Sequence, residues 1–391
     1  MNPTSPANHP TPRPPGQPGA PGQPGAPRVR LSSPADILAV VPHLLGFHPA
    51  QSLVVVGAAG PRQRIELGFR YDLPDPPDAA ATRQIAGHAV AVLTHRKIAT
   101  VIAVGYGPGA LVTPVMDGLA ATARRGGLQV RELLRVQDGR YWSYLCRSLT
   151  CCPAEGVPFD ARSHPAAAVM SAAGLAAYPD RAALARTVAP VAGPQARARD
   201  EAATRACARA AALTDEASAA GGPDPLRLVI AEGRRAVRAA IERYRAGGQI
   251  TDDDQLAWLV ISLAQLPVRD DAWARMVPAH RAAHLRLWTD LVRSAADMWL
   301  PAPAALLAFT AWQSGEGALA NIAVERALGA DPSYSMALLL RDILDAGVPP
   351  SAAQLPMSPE EVELSYTPAA ARVPRGRRTG YPAVTRAEDP R

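Results

Sequence analysis

The chain has 391 residues, 48% of them hydrophobic and only 5% aromatic, with a formal net charge of +6. That is enough apolar material for two or three domains with real cores, and the scarcity of rings points to aliphatic and alanine-rich helix packing. No apolar run approaches the length of a membrane span and no apolar segment follows a basic start, so a membrane protein is not expected and a cytoplasmic one is.

The positive charge sits mostly at the ends. Arg13, Arg28 and Arg30 face no acid in residues 1–30, and from 351 onward six arginines outnumber five acids. Nucleic acid is therefore an unexpected partner, because phosphate binding needs cations gathered on one surface. Lys97 is the sole lysine, a bias of composition rather than of chemistry.

Residues 1–30 carry Gly-x-Pro triplets from Gly16, Gly19, Gly22 and Gly25 and read as a disordered Pro/Gly-rich tail. Ser33, Pro34 and Asp36 then supply a helix cap, a first-turn proline and a dipole-matched acid, predicting a short helix to about Val41. Residues 52–57 and 64–73 predict a β-hairpin, 79–95 a helix, 97–106 a buried strand, and 109–127 a second helix stopped by Gly126 and Gly127. Two further strands close the unit near residue 145. The order implies an α/β domain with a mixed sheet over 31–160.

Strand signals then vanish. Pro165, Pro179, Pro190 and Pro194 predict short helices in an Ala/Arg-rich connector over 161–224. An all-α domain follows over 225–348. There Leu226, Ile230, Val237, Ile241 and Tyr244 share one face, Thr251 is placed to cap the next helix, and Leu285 to Trp299 mark another amphipathic segment. Trp258, Trp273, Trp288, Trp299 and Trp312 read as core rather than as stacking platforms. Residues 349–391 read as a second disordered tail.

Chemistry concentrates at Cys146, Cys151 and Cys152. A zinc knuckle wants paired cysteines two to four residues apart, and adjacent cysteines in extended chain point to opposite sides, so no metal ligand set is assigned even with His164 nearby, and no cofactor is expected. A catalytic thiol would need a base, for which His43, His48 and Glu155 are the candidates, while Asp72, beside Arg70, could hold a polar group. Gly105, Gly107 and Gly109 follow a buried strand and open a helix, as a phosphate loop would, although Pro108 removes one amide donor. The favoured function is a non-catalytic regulatory or scaffolding protein with a protein partner. The alternative is an enzyme with a thiol or nucleotide site in the α/β domain.

The segments LSSPADILAVVPHLLGFHPAQSLVVVG, RYDLP and RYWSYLCRSLTCCPAEGVP, in that order, resemble an actinobacterial family known as domain of unknown function 4192. The likeness runs through most of 31–348; it implies an intracellular actinobacterial protein and no particular activity. Residues 301–334 resemble one tetratricopeptide unit at Leu307, Gly315, Ala320, Ala327, Leu328, Asp331 and Pro332, but Ala304 and Ala308 depart from the pattern. The preceding repeat length shows no second match, so a single helical hairpin is expected.

Overall fold

A computed structural model describes residues 29–60, 63–222, 224–352 and 357–366. The segment 1–28 and everything from 367 onward lie outside the described residues. Helix α1 (Pro34–Leu45) opens as predicted, with the Ser33 hydroxyl accepting from the Asp36 amide and the Asp36 carboxylate returning the bond. It does not stop at Val41. Burial of Leu38, Val41 and Pro42 carries it through the proline to Gly46, whose φ of 78° ends it.

Strands β1 (Ser52–Ala59) and β2 (Arg64–Asp72) form the expected antiparallel hairpin, and α2 (Ala79–His95) follows behind the Asp78 cap. Strand β3 (Thr100–Tyr106) starts three residues later than predicted, because Lys97 takes a φ of 54° at the end of the turn. After α3 (Gly109–Arg125) come β4 (Gln129–Gln137), β5 (Arg140–Ser143) and the two-residue β6 (Val157–Pro158). The six strands run β2-β1-β3-β4-β5-β6, with β3 and β4 the parallel pair, so the sheet is mixed. Alternate residues face opposite layers. Leu53, Val55, Val101, Ala103 and Leu133 meet α2 and α3, whereas Val54, Val56, Ile102, Val104 and Leu134 meet Leu38 and Val41 of α1.

Helix α4 (Pro165–Ala172) lays Ala166, Ala167 and Met170 on Ala39 and Val40 of α1. Short α5 (Arg181–Arg186) follows, then α6 (Pro194–Ala219), a single 26-residue helix where short pieces were predicted. The four prolines explain the difference: all precede the body of α6, and the last occupies its first turn, where proline costs nothing. Helices α7 (Arg227–Arg245), α8 (Asp253–Ser262), α9 (Leu266–Ala274), α10 (Arg281–Ser294), α11 (Pro301–Gln313), α12 (Gly317–Ala330) and α13 (Ser335–Asp345) complete the helical part. Asp252, rather than Thr251, caps α8 through the Gln255 amide.

Trp258, Trp288 and Trp312 are buried, with Trp273 and Trp299 packed at the edge of the same cores. Helices α11 and α12 pack as a hairpin turned at Gly315. All thirteen residues of α11 are buried, so that helix keeps no open face for a peptide groove. Phe47, Leu184 and Val188 join the helical core, tying it to the loop that follows α1. Part of the stretch read as a disordered tail is also built: Ser358 and Glu361 form a capping box on α14 (Pro359–Ser365), Val362 is buried, and the Tyr366 hydroxyl donates to Asp270 at 2.5 Å. No helix of the described residues is long and apolar enough to cross a membrane.

One core group carries a clear pH dependence. His284 is 2% exposed, lies parallel to the Trp288 ring, and has neither ring nitrogen in good hydrogen-bond geometry. Burial, then Arg245 and His280, push it down to about 4, offset in part by the Arg275 backbone. Since the unfolded histidine titrates near 6.5, its contribution is complete above that pH and is lost as pH falls toward 4, a span worth about 3 kcal/mol. His284→Leu should therefore hold or raise Tm at pH 7 and flatten its fall between pH 6.5 and 4. Thermal unfolding at pH 7 and 5 checks this; parallel pH dependence of the two proteins would refute the assignment.

Candidate functional site

The three clustered cysteines lie in the loop 144–156 that joins β5 to β6 at one side of the sheet. Its base is well built. The Trp142 indole donates to the Ala154 carbonyl at 3.0 Å, Arg140 donates to the Gly156 carbonyl at 2.8 Å, and the Arg135 guanidinium stacks 3.7 Å over the Trp142 ring. Gly156 has a φ of +82°, and a Cβ there would meet Trp142 at 2.6 Å, so only glycine closes the loop this way. The tip has no such support. Gly156 is the one residue of 144–156 that is buried, and Leu149 is 74% exposed.

Within this loop Cys146 Sγ lies 2.9 Å from Cys151 Sγ, and Cys151 Sγ lies 3.8 Å from Cys152 Sγ. All three sulfurs fall within 4.8 Å of one another. The expectation that adjacent thiols diverge holds for extended chain, and this chain is not extended: the Cys152 amide donates to the Ser148 carbonyl at 2.8 Å, closing a turn that brings both side chains to one side. Ser143 anchors the near end, accepting from the Cys146 amide at 3.2 Å and donating to Glu132 at 2.7 Å.

The thiols are not equivalent. Hydrogen bonding from Cys151, then from the Ser148 backbone, holds Cys146 below the ordinary thiol value. Burial, then the two neighbouring sulfurs, push Cys152 up to about 12. Cys146 is thus acted on by both other sulfurs, by Ser148 and by Glu132, and Cys152 by both other sulfurs.

Most of the remaining candidates have partners of their own. His43 Nδ1 is 2.6 Å from the Leu175 carbonyl. His48 is held low by burial, then by Arg162 and His43, and its amide donates to the Tyr178 carbonyl. His164 caps α4 through the Ala166 amide and faces Asp36 at 3.8 Å. Asp72 pairs with Arg70, whose guanidinium lies 5.9 Å over the Phe47 ring. Glu155 is exposed and contributes its carbonyl, not its carboxylate, to Arg140. Gly105 packs against Val112, Gly107 turns the chain at a φ of 141°, and a Cβ on Gly109 would sit 3.3 Å from Arg135.

The sequence reading missed Glu132, Ser143 and Trp142, yet a signal was present. Asp138-Gly139 between two strands marks a two-residue hairpin turn. Both residues take positive φ, and the turn fixes Gln137 opposite Arg140 and Leu134 opposite Ser143, which places Glu132 beside the start of the cysteine loop.

The model of one family, described as Domain of unknown function (DUF4192), matches residues 34–351. The chain belongs to that family. The matched span takes in the sheet, the thiol loop and the helices through α13. No curated protein and no solved structure matches the chain.

Proposed function

We propose that this protein is a non-catalytic regulatory protein whose working part is the thiol loop, a reversible redox switch closed between Cys146 and Cys151. The 2.9 Å approach of their sulfurs at an exposed position carries this reading. A non-bonded sulfur pair normally stays farther apart, and a disulfide would bring these two sulfurs only about 0.9 Å closer.

With hydrogen peroxide as oxidant, the Cys146 thiolate attacks one peroxide oxygen. The S–O bond forms as the O–O bond breaks, and hydroxide leaves. The Cys151 thiolate then attacks the sulfenic sulfur, forming the S–S bond and releasing a second hydroxide. In sum two thiols and one peroxide give one disulfide and two waters. The resulting ring closes residues 146–151 and stiffens a tip otherwise held by little, a constraint worth about 2 kcal/mol on the loop-entropy relation.

The reduced full-length protein treated with peroxide should lose two thiols, show a Cys146–Cys151 link by peptide mapping, and be cleaved more slowly by trypsin after Arg147. Cys207, exposed and alone on α6, is the internal reference. If Cys207 reacts as fast as Cys146, or Cys151 stays open to alkylation after Cys146 is consumed, the switch does not exist.

A further inference from the structure

The third sulfur has no place in a disulfide. Cys152 is neighbour to both switch cysteines, within the same 4.8 Å cluster, and a pairwise switch does not need it there. Three side chains turned to one point are what a shared ligand requires, and thiolates are soft ligands that select soft or borderline cations over magnesium or calcium. An iron–sulfur cluster takes four cysteines, one more than the loop contains.

We propose that the reduced loop is a three-thiolate site for one zinc-class divalent cation, bound by Cys146, Cys151 and Cys152 with a fourth position open toward solvent. This deepens the redox reading and rests on the same loop, but not on its oxidation.

The distances fit. Two sulfurs each about 2.3 Å from a tetrahedral zinc stand about 3.8 Å apart, which is the Cys151–Cys152 separation of 3.8 Å. Cys146, at 2.9 Å from Cys151, must withdraw by about 0.9 Å to meet the same geometry. Cys146 is only partly buried in a loop with an unsupported tip, so a side-chain rotation achieves this. The fold also gives the cation something to do. Beyond Tyr144, which packs on the sheet core, the loop buries only Gly156, so its tip has little apolar burial to offset the entropy of its order, and a metal cross-link supplies that in the manner of small zinc-bound loops.

The supporting bonds are in place as well. Ser143 holds the Cys146 amide and is itself held by Glu132, while the Ser148 carbonyl fixes the turn under Cys152. Partners of this kind orient metal ligands from behind. Cys146 and Cys151 serve both states, so the cation and the disulfide exclude each other: metal protects the switch from peroxide, and oxidation expels the metal.

The test uses the full-length reduced chain and Co2+ as a spectroscopic stand-in for Zn2+. One equivalent of cobalt should produce thiolate-to-metal charge-transfer absorption and the strong visible bands of a tetrahedral site, both erased by one equivalent of zinc. Cys152→Ser should weaken binding by at least about 100-fold, beyond the usual loss of a supporting contact, and Cys146→Ser should do the same, whereas Cys207→Ser should leave it unchanged. Peroxide should still form the Cys146–Cys151 disulfide in Cys152→Ser, and that variant separates the two ideas. Metal binding without a disulfide sinks the switch alone; a disulfide without cobalt bands in the reduced chain sinks the metal site alone. Cobalt bands that survive Cys152→Ser also overturn the three-thiolate assignment.

Discussion

Asp271→Asn should destabilise the helical part by about 3 kcal/mol, lowering its Tm by about 6–12 °C. Asp271 lies in α9 with its side chain 1% exposed, and its two oxygens accept four hydrogen bonds. Arg238 of α7 donates at 2.9 and 2.7 Å, and Arg275 just past α9 donates at 3.0 and 3.1 Å. One buried carboxylate thus joins two forked guanidiniums. An asparagine of the same shape removes the charge and turns an amide donor toward arginine donors. Both arginines are partly exposed, 37% and 29%, and can turn to water, which keeps the loss below that of a fully buried pair.

Burial by itself raises the Asp271 carboxyl, but Arg238 and Arg275 outweigh it and hold the group below its ordinary value. A depressed carboxyl contributes stability above the unfolded value near 3.9 that is lost as pH falls through the folded one. The variant should accordingly lack part of the wild-type loss of stability below pH 4, a window under the one set by His284. Circular-dichroism melting at pH 7 and 3.5 measures both effects. A variant within about 1 °C of wild type at pH 7 would show that the cluster is not a stabilising joint. Arg275→Ala should cost much less, because its guanidinium is the more dispensable i,i+4 partner.

The features legible in the sequence were those governed by local rules. Helix α2 occupies 79–95 as periodicity predicts, and the Ser33 cap closes through the atoms its chemistry suggests. The same signal, Ser358-Pro359-Glu360-Glu361, opens α14, where an Arg- and Pro-rich neighbourhood concealed it. Composition averaged over forty residues outweighed a four-residue cap. Helix α6 was obscured in the same way, since prolines counted across the connector say less than prolines placed within it. At the thiol loop the difficulty was tertiary. Whether Cys151 and Cys152 point together depends on a turn bonded from Cys152 to Ser148, and no residue-type rule for adjacent cysteines contains that turn. The surroundings of the candidate bases are tertiary in the same way. His43 lies in the last turn of α1 and His48 just beyond it, and both meet the chain at 160–178.

Gly105→Ala should cost about 3 kcal/mol, and the reason bears on what the glycine-rich stretch is for. Gly105 lies on β3, on the face covered by α3, where an added Cβ would stand 2.2 Å from Val112 Cγ1 and 3.2 Å from its Cβ and Cγ2. Val112 is fully buried and β-branched, with little rotamer freedom to retreat, so strand or helix must shift. The glycine is required here by the close approach of α3 to the sheet, whatever the loop beyond it binds. Pairing the substitution with Val112→Ala isolates that cause. The space left by the valine methyls admits the new one, and the double variant should be about 1–2 kcal/mol more stable than the sum of the two single losses. Denaturant unfolding of the four proteins measures the coupling. Additivity within about 0.5 kcal/mol would mean that the glycine serves the loop from Gly107 to Gly109 rather than the seat of α3.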